Sequence, residues 1–263
     1  MQDLFSLKGR VALITGGSRG IGKMIAKGFL AYGARVYISS RKADVCESTA
    51  RELSADGGSC VALPIDVSTN EGVTALAKAY AQRETKLDIL VNNAGAAWLA
   101  EFDEFPEKGW DKVVDLNLKA PFFLTQALAP QLRAAATPER PAKVINIASI
   151  DGIAANPQET YSYQASKAGL IHMTSRMALR LAPENICVSA IAPGAFASDM
   201  NTVARDHADA VAKRIPSRRI GTEEDMAGAA IFLASRAGDY VVGSTLVVDG
   251  GVSYERGGPS RLD

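Results

Sequence analysis

The chain has 263 residues, 47% of them hydrophobic, and its 29 Lys and Arg balance 29 Asp and Glu to a formal net charge of zero. That balance argues against a nucleic-acid or membrane-surface binder, which needs excess cations to attract phosphates, and leaves small neutral or modestly charged substrates open. Cys46, Cys60, Cys187, His172 and His207 are too few and too scattered for a disulfide framework or a zinc site, so reduced thiols, no metal and a cytoplasmic setting are expected.

The opening residues MQDLFSLKGR lack the apolar core of a signal peptide, and no run of about 18 apolar residues is present to cross a bilayer. From there, short β-branched apolar runs alternate with longer amphipathic stretches, the pattern of strand-helix units around a parallel sheet covered on both faces. Strands are predicted over 10–15, 35–39, 60–65, 89–91, 144–148, 186–190 and 245–248. Helices are predicted over 20–32, 43–54, 70–83, 110–135, 161–181 and 222–234. Residues 136–142 read as a surface loop, 193–216 as a substrate lid, and 256–263 as a polar tail that only a partner subunit would order. The length suits one α/β domain over 1–263.

The first strand runs into Gly16-Gly17-Ser18-Arg19-Gly20-Ile21-Gly22, and a helix follows at once. Glycines allow a tight turn, and the free N–H groups and positive dipole end of the helix attract a pyrophosphate. The spacing Gly-x3-Gly-x-Gly differs from the usual Gly-x-Gly-x-x-Gly, and such a cluster also serves plain turns. After the second strand stands Ser39-Ser40-Arg41-Lys42, with no carboxylate to hold two ribose hydroxyls. Arg41, helped by Arg19 and the Ser40 hydroxyl, suits a 2′-phosphate, which favours NADP(H); the bland reading is a solvated helix start.

Further on come Asp66-Val67, Asn92-Asn93-Ala94-Gly95, Asn117, Ser149, Tyr163-Gln164-Ala165-Ser166-Lys167 and Pro193-Gly194. In this order, and over nearly the whole chain, the set resembles the short-chain dehydrogenase/reductase family. The resemblance implies a single Rossmann-type doubly wound parallel sheet, strand order 3-2-1-4-5-6-7, binding a nicotinamide dinucleotide. It further implies adenine contacts for Asp66 and Val67, and places Asn93, Ala94 and Gly95 beside the adenosine ribose. Pro193, Gly194, Phe196 and Ser198 would line the nicotinamide end, with Ser198 standing where the family often has Thr.

Tyr163 and Lys167 are spaced i, i+4 and share a helix face. A phenol of pKa about 10 is a poor proton carrier at neutral pH, and an adjacent ammonium is expected to lower that value. Tyr163 then acts as acid for a carbonyl oxygen or base for an alcohol, and Ser149 stabilises charge on the same oxygen. The resemblance adds Lys167 as holder of the nicotinamide ribose and Asn117 as the holder, in a helical irregularity, of a water leading to Lys167. Tyr161 is offset i, i+6 from Lys167 and points elsewhere; His172 and His207 are not needed. Asp249-Gly250-Gly251 reads as a turn.

Within the family, the chain most resembles bacterial 3-oxoacyl reductases, particularly the type associated with rhamnolipid precursor supply. Expected pocket walls are Ala96, Ala97, Trp98, Ile150, Gly152, Ile153, Tyr161, Ala195 and Phe196, which suit a hydrophobic ketone. Arg133, Arg140 and Lys143 read either as a dock for an acidic acyl carrier or as ordinary loop charges. A polyol, sugar or secondary-metabolite dehydrogenase and a catalytically idle dinucleotide binder are the alternatives. The resemblance also implies a homo-oligomer, a tetramer before a dimer, through helices 110–135 and 161–181.

Overall fold

The computed structural model describes residues 3–55 and 57–254; the predicted polar tail lies outside them. Seven strands form one sheet in the order 3-2-1-4-5-6-7, every neighbouring pair parallel. They are β1 (Val11–Thr15), β2 (Arg35–Ser39), β3 (Ser59–Leu63), β4 (Ile89–Asn92), β5 (Ala142–Ile147), β6 (Ile186–Pro193) and β7 (Thr245–Val248). The β4, β5 and β6 strands are buried at every position, because helices cover both faces and leave no side for polar residues. β6 runs to Pro193, beyond its predicted end, since Ala190–Pro193 also pairs with β7.

Three helices alternate with the first strands: α1 (Gly20–Ala31), α2 (Ala43–Ser54) and α3 (Asn70–Ala81). The single helix predicted over 110–135 is instead a series. It consists of α4 (Glu107–Val114), a widened π turn at Asp115–Lys119, α5 (Ala120–Ala127) and α6 (Ala129–Ala135). Pro121 and Pro130 sit in the first turns of α5 and α6, where a missing N–H does no harm, whereas inside one long helix each would break the ladder. α7 (Tyr161–Leu181) spans 21 residues as predicted. The segment after β6 holds two short helices, α8 (Thr202–Asp206) and α9 (Ala208–Ala212). α10 (Glu223–Ala234) starts at a capping box in which Thr222 and Asp225 satisfy each other's backbone N–H.

One hydrophobic cluster joins β1, α1 and α10 through Ile14, Ile25, Phe29, Met226 and Ile231. A second, on the opposite sheet face, joins α3, α5 and α7 through Leu13, Leu76, Leu124, Val188 and Met177. The layers leave the carboxyl ends of the strands as the open edge where ligands bind in doubly wound sheets.

Candidate active site

The glycine turn and the β4 loop are stitched together before any ligand is considered. Thr15 Oγ1 accepts the N–H groups of Asn93 and Ala94, each at 3.0 Å, and Asn93 Nδ2 donates to the carbonyls of Thr15 (2.9 Å) and Gly16 (3.1 Å). Gly16 has φ +66°, and a methyl there would lie 2.8 Å from Asn93 Nδ2; on Gly22 it would strike Gly16 O at 2.3 Å. Arg19 stands at the N-cap of α1 in extended conformation, with no side-chain cap and no acidic residue in the first turn. The positive end of α1 therefore faces the cleft uncompensated.

The residues at the end of β2 fit a ribose phosphate. Ser40 Oγ is buried without a hydrogen-bond partner, and Arg41 and Lys42 are exposed and belong to no ion pair among the described residues. An unmatched hydroxyl and a free guanidinium are the donors a 2′-phosphate requires. Arg19 departs from expectation: its Nη1 pairs with Asp199 Oδ2 at 2.8 Å, because the segment after β6 crosses the glycine turn there. A methyl on Gly20 would come within 3.2 Å of Ser198 Cβ. Asp66 is exposed, while the Val67 side chain is buried in the core and leaves its main chain for a ligand.

Ser149, Tyr163, Lys167 and Asn117 are brought together at the ends of β4 and β5. Lys167 is 4% exposed and donates from Nζ to Ile147 O at 2.6 Å, with Nζ 5.7 Å from the Tyr163 ring centre. A methyl on Gly95 would lie 3.8 Å from Lys167 Nζ and 3.2 Å from Asn117 Oδ1, so this backbone passes close to both groups. The π turn aims the Asn117 amide inward. Its Oδ1 accepts Ala96 N–H at 2.8 Å, and its Nδ2 donates to Ala96 O at 2.9 Å and Ser166 Oγ at 3.1 Å. Ser166 Oγ passes the link on to Tyr163 O at 2.8 Å.

Burial pushes Lys167 down to about 8, so its ammonium is held loosely at neutral pH. The Tyr163 phenol moves opposite to the expected lowering. Burial pushes it up to about 12, a hydrogen bond with Ser149 pulls it down, and the charge of Asp151 pushes it up. Desolvation is the largest cause, and the Lys167 ammonium is turned toward Ile147 O. In this state Tyr163 is firmly protonated, as suits a proton donor.

Tyr161 binds Glu159 Oε1 at 3.1 Å and packs edge-on against Phe102 and Phe105, away from Lys167. His172 and His207 are exposed. Ser198 is partly buried and accepts Asn201 N–H at 3.1 Å, while Gly194 N–H donates to Val248 O at 2.9 Å. Phe196, expected as a cleft wall, is 2% exposed, and its ring closes on Gly221 inside the core. It borders a cavity of about 520 Å³ with Ile215, Arg219, Asp249 and Tyr254, which none of the four clustered residues lines.

A family model described as enoyl-(acyl carrier protein) reductase matches residues 16–253. The chain belongs to the short-chain dehydrogenase/reductase family. It is 47% identical to the rhamnolipids biosynthesis 3-oxoacyl-[acyl-carrier-protein] reductase of Pseudomonas aeruginosa, over 95% of this chain and 99% of the relative. Gluconate 5-dehydrogenase of Gluconobacter oxydans is 36% identical over 95% and 97% of the two chains. The solved Pseudomonas aeruginosa RhlG/NADP active-site complex superposes with a TM-score of 0.92 at 46% identity, covering 96% of this chain and 100% of that one.

Membership makes the chain an oxidoreductase. As a short-chain dehydrogenase/reductase it uses more of its sequence at the site than the motifs disclosed. The Ile147 carbonyl that holds Lys167 leaves no signal in the sequence, and Thr15 and Ser166 lie inside motifs that are read only for their glycines and for Tyr163 and Lys167. The carrier-docking cations are not free: Arg133 pairs with Glu184, Arg140 with Asp88 at 3.3 Å, and Lys143 with Asp239 at 2.7 Å while only 1% exposed. Each of the three faces an intramolecular carboxylate, although Glu184 is shared with Arg180.

Proposed function

We propose that the chain is an NADPH-dependent reductase of 3-oxoacyl thioesters or similar hydrophobic ketones. The observation that carries this reading is the meeting of Ser149, Tyr163 and Lys167 beside Gly95, next to a cradle with an unmatched Ser40 hydroxyl and a free Arg41. The cradle would hold the dinucleotide through Gly16, Ser18, Gly20, Ile21 and Gly22, and Ser40 and Arg41 would hold its 2′-phosphate. When bound, the dihydronicotinamide supplies the hydride. Tyr163 donates its phenolic proton to the carbonyl oxygen, Ser149 hydrogen-bonds the same oxygen as charge builds, and Lys167 stabilises the phenolate left behind. Asn117 fixes the β4 loop to α7 and so the distance between cradle and acid.

Exposed Leu99, Phe102 and Ile153, on the loops following β4 and β5, offer apolar surface for an acyl chain, and residues 193–216 act as the lid. The 3-oxoacyl relative supports this substrate class. The gluconate relative supports a second reading, a sugar-acid dehydrogenase. The deciding experiment follows NADPH oxidation with acetoacetyl thioesters beside 5-ketogluconate and bulky ketones, with Tyr163→Phe as control. Thioester turnover that the control loses by about 10²-fold or more supports the reading, and turnover of the sugar acid alone replaces it. Exposed Phe122 and Leu179 on α5 and α7 support a homotetramer, which light scattering would read as four chains. No helix among the described residues is long and apolar enough to cross a membrane.

A further inference from the structure

Asp151 lies on the tight turn that follows Ser149, and the proposed reaction gives it no task. Ser149 Oγ accepts the Asp151 N–H at 3.1 Å, which fixes the turn Ile150–Gly152. Gly152 presses that turn onto α7: a methyl there would lie 2.6 Å from the Lys167 carbonyl carbon and 2.7 Å from Ala168 N. The turn therefore stays beside Tyr163 and Lys167. The Asp151 carboxylate accepts a hydrogen bond from the Asn156 side chain. Asn156 N–H is in turn held at 3.3 Å by Gln164 Oε1, the residue after Tyr163. Asp151 is half-buried and makes no ion pair among the described residues. Lys167 directs its ammonium to Ile147 O instead.

We infer that Asp151 is a charge filter, an unpaired carboxylate beside the position of the reacting carbonyl that excludes substrates carrying their own carboxylate nearby and selects uncharged ketones and thioesters. The filter rests on the proposed reducing site and names its substrate class more narrowly. Burial raises the Asp151 carboxyl above the ordinary carboxylate range, as expected where no cation compensates it. The same charge reaches the Tyr163 phenol, which also faces Ser149 and Lys167, and holds its proton more firmly. Gluconate carries its carboxylate on C1, four carbons from the C5 on which its dehydrogenase acts, so the pair of substrates that isolates the property is a 3-oxo acid and its ester. Two like charges several ångströms apart in such a partly desolvated cleft repel strongly enough to change affinity about tenfold or more.

Acetoacetate and methyl acetoacetate present the same 3-oxo group with and without a charge. With NADPH, the unmodified protein is expected to favour the ester in kcat/KM by about tenfold, and Asp151→Asn to raise acetoacetate about tenfold while leaving the ester within about threefold. Asp151→Glu restores the preference, and Asp151→Ser repeats the Asn result should the amide disturb the turn. An ester-to-acetoacetate ratio unchanged in Asp151→Asn and Asp151→Ser, or an equal loss on both probes, overturns the filter. Calorimetric binding of both probes to the NADP⁺-loaded protein separates the two readings. If the binding ratio follows Asp151 while neither probe is reduced, the filter stands and the reductase assignment falls.

Discussion

Lys143, at the amino end of β5, and Lys167, whose Nζ reaches the last carbonyl of the same strand, are both almost fully buried, with relative exposures of 1% and 4%. Lys143 has a carboxylate, Asp239 Oδ1, at 2.7 Å. Around it Arg10 donates to Pro141 O at 2.9 Å, and Asp88 accepts Val11 N–H at 2.9 Å and faces Arg140 at 3.3 Å, so two carboxylates serve the cations gathered at that end. Lys167 has a carbonyl and no carboxylate, and burial drives it down to about 8. One residue type thus serves two ends of a strand in opposite ways. Paired, it closes the scaffold; unpaired, it costs stability and is held ready for an anion.

Replacing each lysine by methionine breaks the comparison most sharply, because the signs should differ. Lys167→Met is expected to lower kcat about 10²- to 10³-fold. It should also raise folding stability by about 2 kcal/mol, read by urea titration, because a desolvated cation is removed. The pH sign is definite. The folded state releases the Lys167 proton near 8 and the unfolded chain near 10.5, so stability should rise across that window, and the rise should be missing in Lys167→Met. Lys143→Met strands a partly buried carboxylate and is expected to cost about 3 kcal/mol with activity per folded molecule unchanged. The smallest effect is at the cradle. Arg41→Asp should lower kcat/KM for NADPH relative to NADH by about tenfold without moving the urea midpoint, since Arg41 has no ion-pair partner among the described residues.

The strands themselves are legible because each is a short β-branched run flanked by a helical period, whereas their order in the sheet is legible only through the resemblance carried by the motifs at the strand ends. Grouping of Ser149, Tyr163, Lys167 and Asn117 was legible through spacing and resemblance. The break of helix 110–135 was not taken from the sequence, although Pro121 and Pro130 signal it, because apolar periodicity continues through both. The Lys143–Asp239 pair joins residues 96 apart in sequence, and no local pattern announces such a pair. The direction of the Tyr163 shift was missed for a related reason: i, i+4 spacing shows that an ammonium is near, but burial, which here dominates, depends on the whole fold.

The π turn at Asp115–Lys119 contains one more residue than a straight helix of that rise needs. Its contribution lies in chain length rather than in any one side chain, so a scan of single substitutions would pass over it. Deleting one residue from this stretch would close it into a regular α-turn, leaving α4 and α5 in phase but re-aiming the side chains within the turn. Leu118 would leave its seat on Gly169, and the Asn117 amide would leave Ala96 and Ser166. In genetic terms, the site depends on an insertion.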